Sequence, residues 1–424
     1  MSTGILRKVP ITNRKITLIS LFSGAGGFDV GLATAGFDVR LCVEIDERAQ
    51  QTLTLNNPQW KHATPGDIHA LSPQELLLQA GLKPRELSLL AGGPPCQPFS
   101  KSGYWVTGDT DRLTDPRAKT LKAYLDIVRE AQPEVILLEN VKGIAYSDKD
   151  EGLQLLVNEL NNINRAEKTN YQPNVIALNA ADYGVPQSRE RVFIVANRDG
   201  KPFKLPAPTH FSPEKQQGQG QPYLTAWDAI GDLDVDCWFD EVKPSGKWAD
   251  LLPTIPEGQN YLWHTEKMGG LPLFGWRTRF WSFLLKLAKD KPSWTIQAQP
   301  GPATGPFHWK GRLLSVRELA RLQTFPDNYQ FAGDRRAAHM QIGNAVPPAI
   351  GEFFGLEIRR QFFGERVRKK LKLIPEKRND CPPPEKPKAV PTKYLPLSGA
   401  HDAHPGTGKG PGAQKREQKE QANA

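Results

Sequence analysis

LISLFSGAGGFDVGL, residues 18–32, decides the fold. Its opening residues form a short apolar run suited to a strand, Gly24, Gly26 and Gly27 permit a tight turn, and the residues after them read as the start of a helix. The same alternation continues outward. ITLISLF (16–22), VRLCVEID (39–46), LSLLAG (87–92), EVILLEN (134–140), VIALNA (175–180) and RVFIVAN (191–197) are β-rich runs separated by helical patterns. Apolar strands spaced in this way predict a parallel sheet covered on both faces, hence a doubly wound, Rossmann-like α/β domain with a mostly parallel sheet.

The chain has 424 residues, 38% of them hydrophobic, and lysine plus arginine exceed acidic residues by 55 to 46, a formal net charge of +9. This composition excludes collagen-like, wholly disordered and membrane-spanning classes, and the positive excess favours a polyanionic partner. Cys42, Cys96, Cys237 and Cys381 stand singly with no zinc spacing, so a reducing, cytoplasmic compartment and no metal are expected.

Composition divides the chain. Residues 1–15 form an N-terminal extension and 16–199 the α/β domain. From 200 to 291 the chain is first rich in Pro, Gly and Gln, and eight of the ten tryptophans lie between Trp227 and Trp309. This predicts a smaller, loop-rich domain with its own aromatic core. Residues 292–373 return to regular structure, with a helix expected from about Pro348 to Lys372 whose basic end RVRKKLK (366–372) forms a solvated face. Beyond 374, many prolines and a single aromatic, Tyr394, predict a disordered basic tail through 424.

The glycine turn departs from the G-x-G-x-x-G fingerprint, because Asp29 stands where the third glycine would be. A carboxylate there repels a pyrophosphate. Glu44, twenty residues beyond Gly24, suits a pair of ribose hydroxyls, and Asp67 in GDI suits an adenine amino group. Three acidic residues around such a turn fit an adenosine ligand that carries positive charge, as S-adenosylmethionine does. A ligand-free strand-turn-helix and a nicotinamide or flavin site remain open on this segment alone.

AGGPPCQPFS (91–100) follows the LSLL strand, and its prolines and glycines hold Cys96 at the carboxyl end of the sheet, where open α/β folds bind ligands. A thiol needs a neighbour to lower its pKa before it can act as a nucleophile. In QSRERVF (187–193), Arg189 and Arg191 share one face of an extended chain, and Glu139 ends the EVILL strand with the surroundings of a proton donor.

FSGAGG, VEID, GDI, GGPPCQPFS, DPRAKTL, ENV, QSRERVF, RELARLQTFPD and QIGNAVPP occur in this order, and the series resembles the ordered motifs of the DNA cytosine-5 methyltransferases. The resemblance implies the S-adenosylmethionine-dependent methyltransferase fold, with the 200–291 segment as target-recognition domain. It makes Cys96 the nucleophile, Glu139 the acid at the target base, and Arg189 and Arg191 the support of base and thiolate. Phe22, Gly24, Ala25, Gly27, Glu44, Ile45, Asp67, Ile68, Gly93, Pro95, Leu121, Asn344, Ala345 and Val346 would line the methyl-donor site. Gly103 and Gly108 would be hinges of a loop that closes over a flipped base, while Arg277 and Arg279 are candidates for reading guanine or gripping phosphate. The expected reaction is transfer of a methyl group from S-adenosylmethionine to carbon 5 of a flipped-out cytosine in duplex DNA, through a covalent cysteine adduct. The expected setting is a monomeric, DNA-associated bacterial enzyme, either protecting sites from a cognate restriction endonuclease, with no stable complex between the two, or solitary. A tRNA cytosine-5 methyltransferase and a noncatalytic DNA-binding regulator are the alternatives. The long aromatic-rich segment favours DNA over RNA, and the intact catalytic motifs argue against the regulator.

Overall fold

Parallel strands buried on both faces must be apolar throughout, and the apolar runs of this chain build such a sheet. A computed structural model describes residues 15–94, 118–140, 151–214, 220–234, 242–274, 280–368 and 370–399. The six strands are β1 (Thr17–Leu21), β2 (Asp38–Val43), β3 (Leu89–Gly92), β4 (Val135–Asn140), β5 (Asn174–Asn179) and β6 (Glu190–Asn197). They lie in the order β2-β1-β3-β4-β6-β5. The first four pair in parallel, and β6 runs antiparallel to both β4 and β5. Each of the six coincides with a run read from the sequence. The antiparallel direction of β6 was not part of that reading, since the apolar pattern of a buried strand carries no sign of direction.

The chain leaves β1 for β2 on one side and returns to β3 on the other. This reversal opens a crevice beyond the carboxyl ends of β1 and β3, the usual ligand position of a doubly wound sheet. On one face α1 (Gly27–Thr34) packs against the late helix α9 (Pro348–Phe362), with Phe28, Leu32, Phe353 and Phe354 in a single core. A Cβ on Gly31 would lie 2.1 Å from the Pro348 carbonyl oxygen, so the two helix backbones meet there directly. The other face is covered by α3 (Pro73–Ala80), α4 (Ala118–Ala131) and α5 (Glu151–Glu167), after α2 (Glu47–Asn56) has followed β2. The helices α6 (Ala226–Ile230), α7 (Val316–Leu322) and α8 (Arg335–Asn344) precede α9. None of the described helices is long and apolar enough to cross a membrane.

Two expectations change at the end of the chain. The last helix stops at Phe362, ten residues short of Lys372, because Gly364 takes the left-handed φ of 67° that ends helices. The basic run beyond it is partly engaged: fully buried Glu352 accepts hydrogen bonds from the Arg368 guanidinium at 2.5 Å and from the Lys372 and Leu373 amides. The segment after 374 also packs in place through Gly399. The Arg378 amide donates to Asp228 at 2.7 Å and the Trp227 indole to Asp380 at 3.0 Å. Tyr394 is 3% exposed and stacks on Trp248. Its prolines reduce the entropy lost on ordering, and its few apolar groups enter another segment's core.

The residues divide into two compact units, one of 1–241, 289–299 and 314–381, the other of 242–288, 300–313 and 382–424. The smaller unit starts later than residue 200. Phe203 packs on Phe354 and Phe362, and the Tyr183 hydroxyl bonds the Pro206 carbonyl, so this stretch belongs to the sheet unit. Composition marks where helices and strands stop, and packing continues past that point. The smaller unit holds a core of Leu251, Leu252, Ile255, Tyr261, Phe274, Leu284 and Phe307. Among its described residues the helical turns are of the tight 3₁₀ kind, at Ala249–Thr254, Tyr261–His264 and Thr392–Leu397.

Candidate active site

A cavity of about 390 Å³ opens at the carboxyl ends of β1, β3 and β4. Its floor is the turn after β1. Phe22 sits at φ 58° and Gly26 at φ 77°, left-handed values that the first tolerates only under constraint and the second takes freely. A Cβ on Gly24 would meet nothing within 4 Å, so the turn faces open space. Glu44, just past β2, fixes that turn. One carboxylate oxygen accepts from the Gly24 amide at 2.7 Å and the other from the Asp46 amide at 2.9 Å. Burial raises its pKa, opposed by those amide bonds. A carboxylate has about four acceptor positions, so Glu44 retains capacity for the two hydroxyls of a ribose.

Beside the turn, the stretch Gly343 to Val346 forms a second wall. Arg189, 2% exposed, donates to the carbonyls of Gly343 at 2.9 Å, Ala345 at 3.0 Å and Ile296 at 3.3 Å. Gln323 adds bonds to the Ile342 and Ala345 carbonyls, and Gln187 in turn bonds Gln323. Asn344 remains exposed at the rim while Ala345 and Val346 are buried.

The third side carries acid chemistry. Glu139 ends β4, and its Oε1 lies 3.0 Å from Arg191 Nε. Burial raises the Glu139 pKa, while the guanidinium groups of Arg191 and Arg189 lower it. The net effect is upward, so this carboxyl holds its proton more readily than an exposed one. A Cβ on Gly93 would fall 3.2 Å from Glu139 Oε2, a tight contact just after β3. The Asn140 side-chain amide donates to the Pro94 carbonyl at 3.3 Å, tying the residues just after β3 to β4.

The cavity thus gathers Phe22, Gly24, Ala25, Gly27, Glu44, Gly93, Glu139, Arg189, Arg191, Asn344, Ala345 and Val346. Other expected residues stand apart from its lining. Ile45 is 69% exposed, and Ile68 and Leu121 lie in the core beneath the sheet. Asp67 accepts the His69 amide at 2.9 Å, one residue after Gly66, whose Cβ would crowd the Glu44 carbonyl. Arg189 and Arg191 do not act alike: the guanidinium hydrogen bonds of Arg189 brace backbone carbonyls, and Arg191 is the one that forms the ion pair with Glu139. Cys96, Pro95, Gly103, Gly108, Arg277 and Arg279 lie outside the described residues.

Several lining or supporting residues escaped the sequence reading. Tyr329 donates its hydroxyl to the Ala25 carbonyl at 2.7 Å across 304 positions, and no local pattern signals such a brace. Ser20 and Ser23 line the cavity, the Ser23 hydroxyl donating to that of Ser20 at 3.0 Å.

The family model for C-5 cytosine-specific DNA methylase matches residues 16–360. Type II methyltransferase M.SacI of Streptomyces achromogenes is 40% identical over 80% of this chain and 92% of its own. M.NgoFVII of Neisseria gonorrhoeae, also a Type II methyltransferase, is 32% identical over 80% and 84%. Among solved structures, Spodoptera frugiperda DNMT2 superposes with a TM-score of 0.55 at 16% identity, over 81% of this chain and 99% of that one, a likeness of fold. The ordered motifs, the parallel sheet with its crevice and these matches agree: the chain belongs to the C-5 cytosine-specific DNA methylase family and is a DNA cytosine-5 methyltransferase.

Proposed function

We propose that this chain methylates carbon 5 of a cytosine flipped out of duplex DNA, through a covalent adduct with Cys96, as the protective half of a restriction-modification pair. The observation that carries this reading is the Glu139–Arg191 pair at the same cavity as the Gly24 turn and Glu44. The turn and carboxylate fit an adenosine-bearing methyl donor: Glu44 would take the ribose hydroxyls, and the open space over Gly24 admits the ligand against the backbone. S-adenosylmethionine bound there would supply an electrophilic methyl group on a sulfonium.

The residues of the chain supply the rest. Addition of the Cys96 thiolate to carbon 6 of cytosine makes carbon 5 nucleophilic, and a proton held by Glu139 at ring nitrogen 3 stabilises the adduct. Arg191 keeps the Glu139 carboxyl oriented toward the cavity, and Arg189 holds the wall formed by Gly343 and Ala345. Once carbon 5 carries the methyl group, loss of its proton to solvent water and return of the ring nitrogen 3 proton to Glu139 expel Cys96 and restore the aromatic ring. The ring atoms cannot be reached inside a duplex, so the base must leave the stack at a cost of a few kcal/mol. The smaller unit, rich in aromatic side chains, would read the neighbouring bases.

Base-resolution mapping of 5-methylcytosine in plasmid DNA from cells expressing the chain tests this, with Cys96→Ala as control. Methylation at one short sequence, absent from the control, is the expected result. Unmodified DNA overturns the proposal, and methylation that persists in Cys96→Ala overturns the covalent route.

A further inference from the structure

Asp29 is a carboxylic acid that the proposed reaction leaves unused. It lies in the first turn of α1 and is fully buried; neither oxygen has a hydrogen bond of normal geometry, and the donors that act on it are the Ser20 hydroxyl and its own backbone amide. Burial of an unpaired carboxyl is costly, and a hydrophobic residue would pack α1 more cheaply. Its surroundings point to a ligand. The residues just before it, Gly27 and Phe28, line the cavity, as do Ser20 and Ser23.

The groups that act on Asp29 come from every neighbouring element. From β1 the Ser20 hydroxyl favours its charged form, and from β2 Glu44 opposes it. Cys42 on β2 and Tyr329, after α7, both feel its charge, and burial keeps each of them protonated. On α9, Glu352 is already matched by Arg368. Among the described residues no cation faces Asp29 or Glu44, and Glu44 is bonded only by backbone amides. Two carboxyl groups therefore bear on one end of the cavity without a positive partner.

We infer that Asp29, acting from behind the Ser20–Ser23 wall, is the counter-charge by which the donor site prefers a sulfonium cation to the neutral thioether left after methyl transfer. This rests on the donor reading above and deepens it. Asp29 does not touch the ligand; it acts as a positioning charge. Its role is to hold the charged reactant, without effect on the binding of the neutral product. The proton on Asp29, retained up to a pH of about 7 by burial, leaves when the cation enters.

Calorimetric binding of S-adenosylmethionine and S-adenosylhomocysteine to the full chain tests this at pH 6 and pH 8. For the unaltered protein, preference for the cation should rise roughly fivefold between these values, the scale of one partly screened charge pair. Asp29→Asn should abolish that rise and lower the preference at pH 8 by a similar factor, leaving S-adenosylhomocysteine binding unchanged. A measurement without any variant is available as well. Near pH 6.5, titration in buffers of different ionisation enthalpy should show proton release for the cation and less for the thioether. Equal proton release for both ligands, equal weakening of both by Asp29→Asn, or an unchanged preference in that variant would each overturn the inference. If neither ligand binds the unaltered chain, the donor reading fails, and the inference with it.

Discussion

In the proposed reaction Glu139 meets the base protonated, and its environment favours that: burial lifts its pKa above the ordinary carboxylate value, although Arg191, 3.0 Å away, and Arg189 oppose the rise. Glu139→Gln keeps the shape and removes the transferable proton, so single-turnover methyl transfer should slow roughly 10²–10⁴-fold. Donor affinity, measured by calorimetry, should stay unchanged. Asp29 gives a stability prediction with a definite sign. Its folded-state pKa of about 7 exceeds the unfolded 3.8, so between these values the folded state holds a proton that the unfolded chain has lost. Stability contributed by this group is present below about pH 4 and falls as pH rises toward 7. Asp29→Asn removes that slope, and should stabilise the ligand-free protein at pH 8 by at most about 4 kcal/mol, with no gain at pH 4. Urea unfolding at both pH values checks it; a constant difference would mean that the charge of Asp29 is not what costs stability. Glu139 and Glu44 were legible because each ends an apolar run, and Arg191 because it opens one. The pairing of Arg189 with three backbone carbonyls was not, since its partners come from distant segments.

At the level of elements, the strands were readable because burial on both faces leaves only apolar residues to fill them. The helix pairing was not: α1 and α9 are over 300 positions apart, and what joins them is the absence of side chains. Gly31 on α1 faces Pro348 and Gly351, and Gly355 faces Ala35. Gly31→Ala would place a methyl carbon 2.1 Å from the Pro348 carbonyl oxygen. Backbone atoms cannot rotate away as a side chain can, so the helices must separate, and stability should fall by about 2–3 kcal/mol despite the better helix propensity of alanine. The same separation moves the start of α1 and the Val346 carbonyl, which a Cβ on Gly27 would approach to 2.4 Å. Donor affinity should therefore weaken along with thermal stability. A variant as stable as the parent would show that the α1–α9 contact yields easily.

For the molecule as a whole, composition located the two constructions but misplaced their limits. Aromatic density marked the smaller unit, yet the described residues between 200 and 234 belong with the sheet unit and the last described segment joins the smaller core. Low apolar content argues for disorder only when a segment must build a core of its own, and here it does not. Tyr394 is buried among residues of the smaller unit, stacks on Trp248 with ring centroids 5.7 Å apart, and donates its hydroxyl to the Lys247 carbonyl at 2.5 Å. Val390 and Leu397 pack beside it, and the Lys388 amide bonds the Pro253 carbonyl. Tyr394→Ala should then destabilise the smaller unit by about 3 kcal/mol, the cost of removing a buried aromatic ring. Tyr394→Phe, which loses only the hydrogen bond, should cost about 1 kcal/mol. Tryptophan fluorescence during urea unfolding reports on this unit, where Trp248, Trp263 and Trp309 reside. If Tyr394→Ala left that transition in place, the segment after 381 would be an appendage and not part of the smaller unit's core.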